Sequence, residues 1–177
     1  MSRGLLPLGF APVLLAACAS APEPRWVEMR IAAADRKNLQ EACLFALERS
    51  HLKVERSDAT AGTIRTEWDE DLFPFYSPQG GGGVRKRAWV EINAGNPGAA
   101  NGALAEHVVR VRVEQEKNAE KKHPGDRERA DWQPMADDAD LAHRIAVTVQ
   151  TLVGDFRPSD DFYRRRGWEP PRTAGRP

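Results

Sequence analysis

The chain has 177 residues, enough for one domain with its own core and too few for a second domain to be expected. Its 26 basic and 26 acidic groups cancel, which removes the electrostatic reason to expect a nucleic acid or a strongly charged substrate. Composition is ordinary for a water-soluble body, with 29% charged and 41% apolar residues, and no apolar run after the first segment nears the ~20 residues that span a bilayer.

Residues 1–17 read as a leader, with Arg3 as a short positive region, Leu5 to Leu15 as an apolar stretch, and the ending Leu15-Ala16-Ala17-Cys18. Small residues before a cleavage point fit a narrow protease site, and the thiol that follows is the nucleophile that takes up diacylglycerol. This ending resembles the lipobox of bacterial, in particular proteobacterial, lipoproteins. The resemblance implies that residues 1–17 are a signal peptide, that Cys18 becomes the acylated, palmitate-bearing N-terminus, and that several chains on one residue anchor it stably. By the same resemblance, Ala19 and Ser20, with no Asp after the cysteine, imply the periplasm-facing side of an outer membrane. The other reading is a plain secretory signal with Cys18 incidental, since an apolar stretch of roughly a dozen residues is too short to span. Residues 18–25 are the lipidated cysteine and linker, and Ala19 to Arg25 reaches only ~25 Å when fully extended.

Beyond the linker, Val27, Met29 and Ile31 alternate with polar residues, the pattern of a half-buried strand. Asp35 can cap a helix whose Leu39, Cys43, Ala46 and Leu47 recur at three- and four-residue spacing to about Ser50. Alternation returns from Leu52 to Glu55, and after a turn at Ser57 to Gly62 it runs from Thr63 to Trp68, with Ile64, Thr66 and Trp68 on one face. Two further strands are expected at Arg87 to Ile92 and Val109 to Glu114, separated by a Gly-rich loop from Ala94 to Gly102. Lys117 to Asp131 reads as a solvated loop. Asp137 or Asp138 then caps a second helix carrying Leu141, Ile145, Val149 and Leu152, which Gly154 is placed to end.

The expected fold is α+β in two layers: one domain over residues 26–153, with an antiparallel sheet of about five strands, two helices on one face and the order β-α-β-β-β-β-α. Residues 154–177 are expected to be a flexible C-terminal tail, and Asp69 to Val84 a flexible segment.

Signals for chemistry are sparse. His51, His107, His123 and His143 have no metal-like spacing and read as isolated surface residues. Asp131, Asp137, Asp138 and Asp140 lack the Gly turn and distal Glu of a calcium loop. Gly80 to Gly83 lacks the Lys-Ser/Thr ending of a phosphate cradle and reads as a flexible hairpin tip. Ser50, Ser57, Ser77 and Ser159 have no nucleophile-elbow context. With Cys18 blocked by lipid, Cys43 has no disulfide partner and reads as a small buried hydrophobe, with a reactive thiol as the other reading. No catalytic residue, metal or cofactor is expected, and no enzyme.

Three features could bind a partner. The outward face of the sheet would carry both signs of charge with Trp89, Arg65, Arg87, Arg110 and Arg112, residue types enriched at interface hot spots; the plainer reading is a solvated face with cross-strand pairs. Phe73, Phe75 and Tyr76 beside Pro74 suit insertion into a groove or a membrane interface, or packing on the domain's own edge. Arg164, Arg165, Arg166 and Trp168 mix basic and aromatic character as docking peptides and anionic-lipid contacts do, with disorder the alternative.

The lipobox, short linker, and run Ala59 to Trp68 within this strand-helix order together resemble the helix-grip lipoprotein of the β-barrel assembly machine and related small lipoproteins. That protein has two helix-grip domains and a long N-terminal segment, whereas this chain has one domain and a short linker. The resemblance implies an envelope-assembly or protein-binding accessory without catalysis, held at the membrane through Cys18 and partnered by another envelope protein, not by nucleic acid. The alternative is a carrier holding a lipid or small apolar ligand between sheet and helices.

Overall fold

Val27 and Met29 turn inward and Ile31 is buried along β1 (Val27–Ala33), while Glu28 and Arg30 face water, so the two-residue period of the sequence becomes a half-buried strand. This computed structural model describes residues 22–33, 36–79, 81–94 and 105–155. Helix α1 (Arg36–Arg49) buries Leu39, Cys43, Ala46 and Leu47 completely. It ends in a Schellman cap. Leu52 donates its backbone N–H to the Leu47 carbonyl, His51 donates to Glu48 from a left-handed φ of 60°, and Leu52 is buried beneath the turn. Asp35, the expected cap at the other end, lies outside the described residues.

Strands β2 (Val54–Asp58) and β3 (Thr63–Thr66) pair antiparallel, as their patterns require. The turn between them closes on Gly62 at φ +69°, and the Arg36 guanidinium occupies the space a side chain there would need. Arg36 donates to the Ile92 carbonyl at 3.0 Å while Ile92 donates its N–H to Gly62 at 2.7 Å, which ties the start of α1 to the sheet.

The rest of the sheet consists of β4 (Asp69–Ser77), β5 (Gly81–Ala94), β6 (Ala105–Asn118) and β7 (Trp132–Pro134), followed by α2 (Ala139–Asp155). The seven-stranded sheet has the order β1-β6-β5-β3-β2, with β4 on β5 and β7 on β6, and every pairing is antiparallel. Strands β5 and β6, at 14 residues each, form a central ribbon. One half of it is flanked by β1 and β3, and the other half by β4 and β7. Both helices lie on one face, α2 over β1 and β6 and α1 beside it. Asp138 caps α2 by accepting the Leu141 N–H at 2.9 Å, while Asp137 is engaged by Arg112.

The core lies between helices and sheet, where Leu39, Leu47, Ile145 and Val149 join Val90, Ile92, Val109, Val111 and Val113 in one cluster. Each of these side chains contributes roughly 1.5–3 kcal/mol by leaving water. Among the described residues, no helix is long and apolar enough to cross a membrane.

Several expectations need correction. The α+β class with the helices on one face of an antiparallel sheet is as expected, but among the described residues the sheet has seven strands, not about five. Asp69 to Val84 is not a flexible segment: it forms β4 and the start of β5. Its strand character is hidden because β4 bulges between the pairs Leu72–Gly83 and Ser77–Gly81, which breaks the alternation through Phe73, Pro74, Phe75 and Tyr76. Gly81 to Gly83 are buried in β5, and a side chain at Gly81 would collide with the Asn118 carbonyl. The expected solvated loop is organised by buried Asn118, which accepts the Glu120 and Asp131 N–H groups and donates to the Pro124 carbonyl. Helix α2 runs past Gly154 to Asp155, because one glycine costs a helix only about 1 kcal/mol. His107 is not a surface residue: it shares the inward period of Val109 and Val111 and is buried.

Candidate functional site on the outer sheet face

Cross-strand register assembles the face opposite the helices. Arg85 of β5 stands between Glu70 of β4 and Glu116 of β6, and Arg110 of β6 stands between Glu91 of β5 and Glu28 of β1. These are two rows of acid, arginine and acid. Between them Trp89 stands between Arg65 and Arg112, and Arg87 faces Glu114.

The tryptophans among the described residues, Trp26, Trp68, Trp89 and Trp132, join these rows. The Arg85 guanidinium lies 4.7 Å from the Trp132 ring and 4.4 Å from Trp68. Arg87 lies 4.3 Å from Trp68 and 5.0 Å from Trp89, and Arg65 lies 5.3 Å from Trp89 at the far end of the row. The result is a continuous ladder in the sequence Trp132, Arg85, Trp68, Arg87, Trp89, Arg65. Arg110 makes a separate contact with Trp26 at 4.8 Å. Each such contact stabilises by about 0.5–1 kcal/mol at exposed sites, and more as water is excluded.

Carboxylates fix the guanidinium planes. Glu114 accepts from Arg87 at 2.7 Å and from the Trp89 indole N–H at 2.9 Å, and lies 3.3 Å from Arg112. Burial pushes the Glu114 carboxyl up, but the Trp89 and Arg87 hydrogen bonds and both arginine charges outweigh it and hold the group below the usual carboxylate range. Arg112 is anchored by Asp137 at 2.7 Å, whose hydrogen bond and charge raise the guanidinium further against the opposing effect of burial. Arg85 donates to Glu116 at 2.7 Å, Arg65 pairs with Glu55 at 2.7 Å, and Arg110 with Glu91 at 3.0 Å.

The sheet thus brings together Trp89, Arg65, Arg87, Arg110 and Arg112, five residues expected on this face. Their guanidiniums are already paired, so the surface is amphiphilic and pre-organised rather than a field of free positive charge. Three ladder members are not foreseen from the sequence. Arg85 continues the period of Arg87 and Trp89 and could be found by extending that alternation backward. Trp68, expected on the inner face with Ile64 and Thr66, instead lies beyond the end of β3 on the outer face, and Trp132 sits on a strand of only three residues.

Phe73, Phe75 and Tyr76 lie apart from the ladder on the β4 bulge, with Phe75 66% exposed and Tyr76 beneath Lys121 at 5.7 Å. Cys18, Arg164, Arg165, Arg166 and Trp168 lie outside the described residues. Burial raises the Cys43 thiol to about 12, so it stays protonated and behaves as a small hydrophobe. Among the described residues, no group of three or more His, Cys, Asp or Glu could hold a metal ion.

Among the described residues, clefts border the ladder at two places. One, of about 310 Å³, is lined by Arg56, Thr63, Arg65, Trp89 and Glu91; the other, of about 140 Å³, is lined by Pro22, Arg112, Glu114, Pro134 and Asp137. Compared with known proteins, the chain matches no family model and no curated sequence.

Proposed function

We propose that this chain is a periplasm-facing lipoprotein of the outer membrane, anchored through acylated Cys18, whose sheet face binds another envelope protein without catalysis. The observation that carries the reading is the Trp–Arg ladder. Tryptophan and arginine are the residue types that dominate interface hot spots, and here packing and carboxylate pairing already hold them in place. Side chains fixed before binding lose less rotamer freedom on association, at about 0.5–1.5 kcal/mol for each one that need not be ordered. Because the charges are internally matched, the partner this face suits is a flat surface of mixed polarity rather than an acidic one.

An apolar cargo between sheet and helices is the weaker reading. Leu39, Leu47, Ile145 and Val149 fill that space against Val90, Ile92, Val109 and Val111, and none exceeds 1% exposure. Native mass spectrometry finding a co-purifying lipid in stoichiometric amount would restore it.

Photo-cross-linking in cells tests the first reading, with the reactive residue placed at Trp89 or Arg110 of the lipidated protein. A discrete envelope-protein adduct is expected, and it should weaken when Arg65→Glu is added. Loss of membrane attachment in Cys18→Ala, with the domain intact, is the companion result. Adduct-free protein at both positions would dismiss the ladder as a binding face.

A further inference from the structure

The N-terminal segment does not leave the domain at an arbitrary point. Arg25 donates its backbone N–H to Asp137 at 2.7 Å, Trp26 lies under Arg110, and Pro22 sits beside Glu116 and Pro134. The end of the expected linker is therefore laid against β6, β7 and the segment that leads into α2. From Cys18 to Pro22 only four residues remain, a reach of roughly 14 Å. By contrast, the Ala105 end of β6 is roughly 36 Å from Glu116 along the strand.

The hairpin of β4 and β5 closes at the same end as Pro22. Asn118 packs against Gly81 and Gly82, and Gly81 pairs with Ser77, so the bulge holding Phe75 lies about 10 Å along the sheet and about 10 Å across it from Glu116. Phe75 is 66% exposed there, while Phe73 and Tyr76 are half-buried behind it. Lys121 covers Tyr76 at 5.7 Å, and Lys122 is exposed beside it. Two acids of the neighbouring turn are engaged locally, Glu120 by the Lys122 and His123 N–H groups and Asp126 by Arg129, while Glu128 and, on β4, Asp71 are exposed. What projects is an aromatic wedge with two lysines beside it.

Resting on the anchoring reading above, we infer that this tip is a second membrane contact: Phe75 enters the interfacial layer of the bilayer that holds the Cys18 acyl chains, and Lys121 and Lys122 meet its anionic headgroups. A short tether makes the contact intramolecular in effect, so a weak insertion suffices. The consequence is orientation. The domain stands on the membrane by its acyl chains and its hairpin tip, with the helix layer and the Ala105 end turned away.

The test uses the lipidated protein in vesicles of phosphatidylethanolamine with a minority of phosphatidylglycerol. An environment-sensitive fluorophore is placed at Phe75→Cys or, as a control, at Val147→Cys on α2, which is also an exposed apolar position at 40%. Cys43 is buried and Cys18 blocked, so labelling is selective. Position 75 should shift to the blue and be quenched by a lipid carrying a shallow quencher, position 147 should do neither, and Lys121→Glu with Lys122→Glu should reduce the shift at 75. Lipidated protein whose label at 75 stays in water, or whose labels at 75 and 147 respond alike, overturns the inference and leaves anchoring intact. An N-terminal peptide without the mass of acyl chains overturns the anchoring reading and this inference with it.

Discussion

Trp89 and Val90 are neighbours in β5, and one step along the strand puts them in different media. Val90 is 1% exposed in the core beneath the helices, while Trp89 lies half-buried on the far face between two guanidiniums. The inner face is held by apolar burial, which is non-directional and tolerates any side chains of fitting volume. The outer face is held by contacts that need particular partners at particular angles: an indole N–H on one carboxylate oxygen, and a guanidinium above a ring. One sheet therefore carries a generic face that makes it fold and a specific face that a partner can read.

The largest expected effect tests the generic half. Leu47 has no accessible surface, and Leu47→Ala should lower unfolding stability by about 3–4 kcal/mol in urea titration through lost transfer energy and an unfilled cavity. Leu47→Met, which conserves volume, should cost less than about 1.5 kcal/mol. A comparable penalty for both would mean that the inner face also demands a specific shape.

This division also governs what the sequence discloses. Apolar burial leaves a periodic trace, so Val27 to Ile31, Leu39 to Leu47, Ile64 to Thr66 and Ile145 to Val149 declare their elements and the α+β class. The outer face leaves half a trace. Arg87, Trp89, Arg110 and Arg112 are visible as the polar phase of the same alternation, but the sequence cannot show that Glu114 binds three of their side chains at once. Trp68 and Trp132 are invisible to periodicity, since one follows the end of β3 and the other depends on a short strand fixed by Asn118 and the β6 register. The Phe75 bulge defeats the same reading, because extra residues in β4 abolish the alternation that identifies a strand.

On the specific half, Glu114→Ala removes the acceptor shared by Arg87, Arg112 and Trp89. Three hydrogen bonds to the ionised carboxylate, two from Arg87 and one from Trp89, and the ion pair with Arg112, discounted for a side chain that keeps 23% of its exposure, amount to about 2 kcal/mol. The loss should be larger than that of Glu55→Ala at the solvated end of the ladder, where one pair is worth under about 1 kcal/mol. Equal losses would reduce the ladder to independent surface pairs.

Acid tests the carboxylates that hold the specific face and the start of α2. Burial alone would raise Glu114 and Asp138, yet hydrogen bonds from Trp89 and Arg87 in one case, and from Leu141 and Lys86 in the other, leave both below their ordinary values. A carboxyl with a depressed folded-state pKa contributes stability that is full above the unfolded value, about 4.3 for Glu and 3.9 for Asp, and disappears as pH falls through the folded one. Urea midpoints should therefore hold steady near neutrality and drop below about pH 4, with Glu114→Gln flattening part of that drop. A midpoint that rises on acidification would contradict the directions given to these groups.

The smallest effect bears most directly on the proposed interface. In a double-mutant cycle between Arg87→Gln and Trp68→Leu, the coupling should be about 0.5–1 kcal/mol, since the guanidinium sits 4.3 Å from the ring. The informative variable is salt. At 1 M the screening length falls to about 3 Å, which weakens exposed ion pairs, whereas a cation held against a ring with water excluded keeps most of its attraction. Coupling that survives 1 M salt means the ladder stays ordered by stacking even when its carboxylates are screened, and a partner meets a surface already in its bound shape. Coupling that vanishes would mean that Glu114 and its charges alone hold the face, leaving the rings free to rearrange and removing the pre-organisation on which the binding proposal depends.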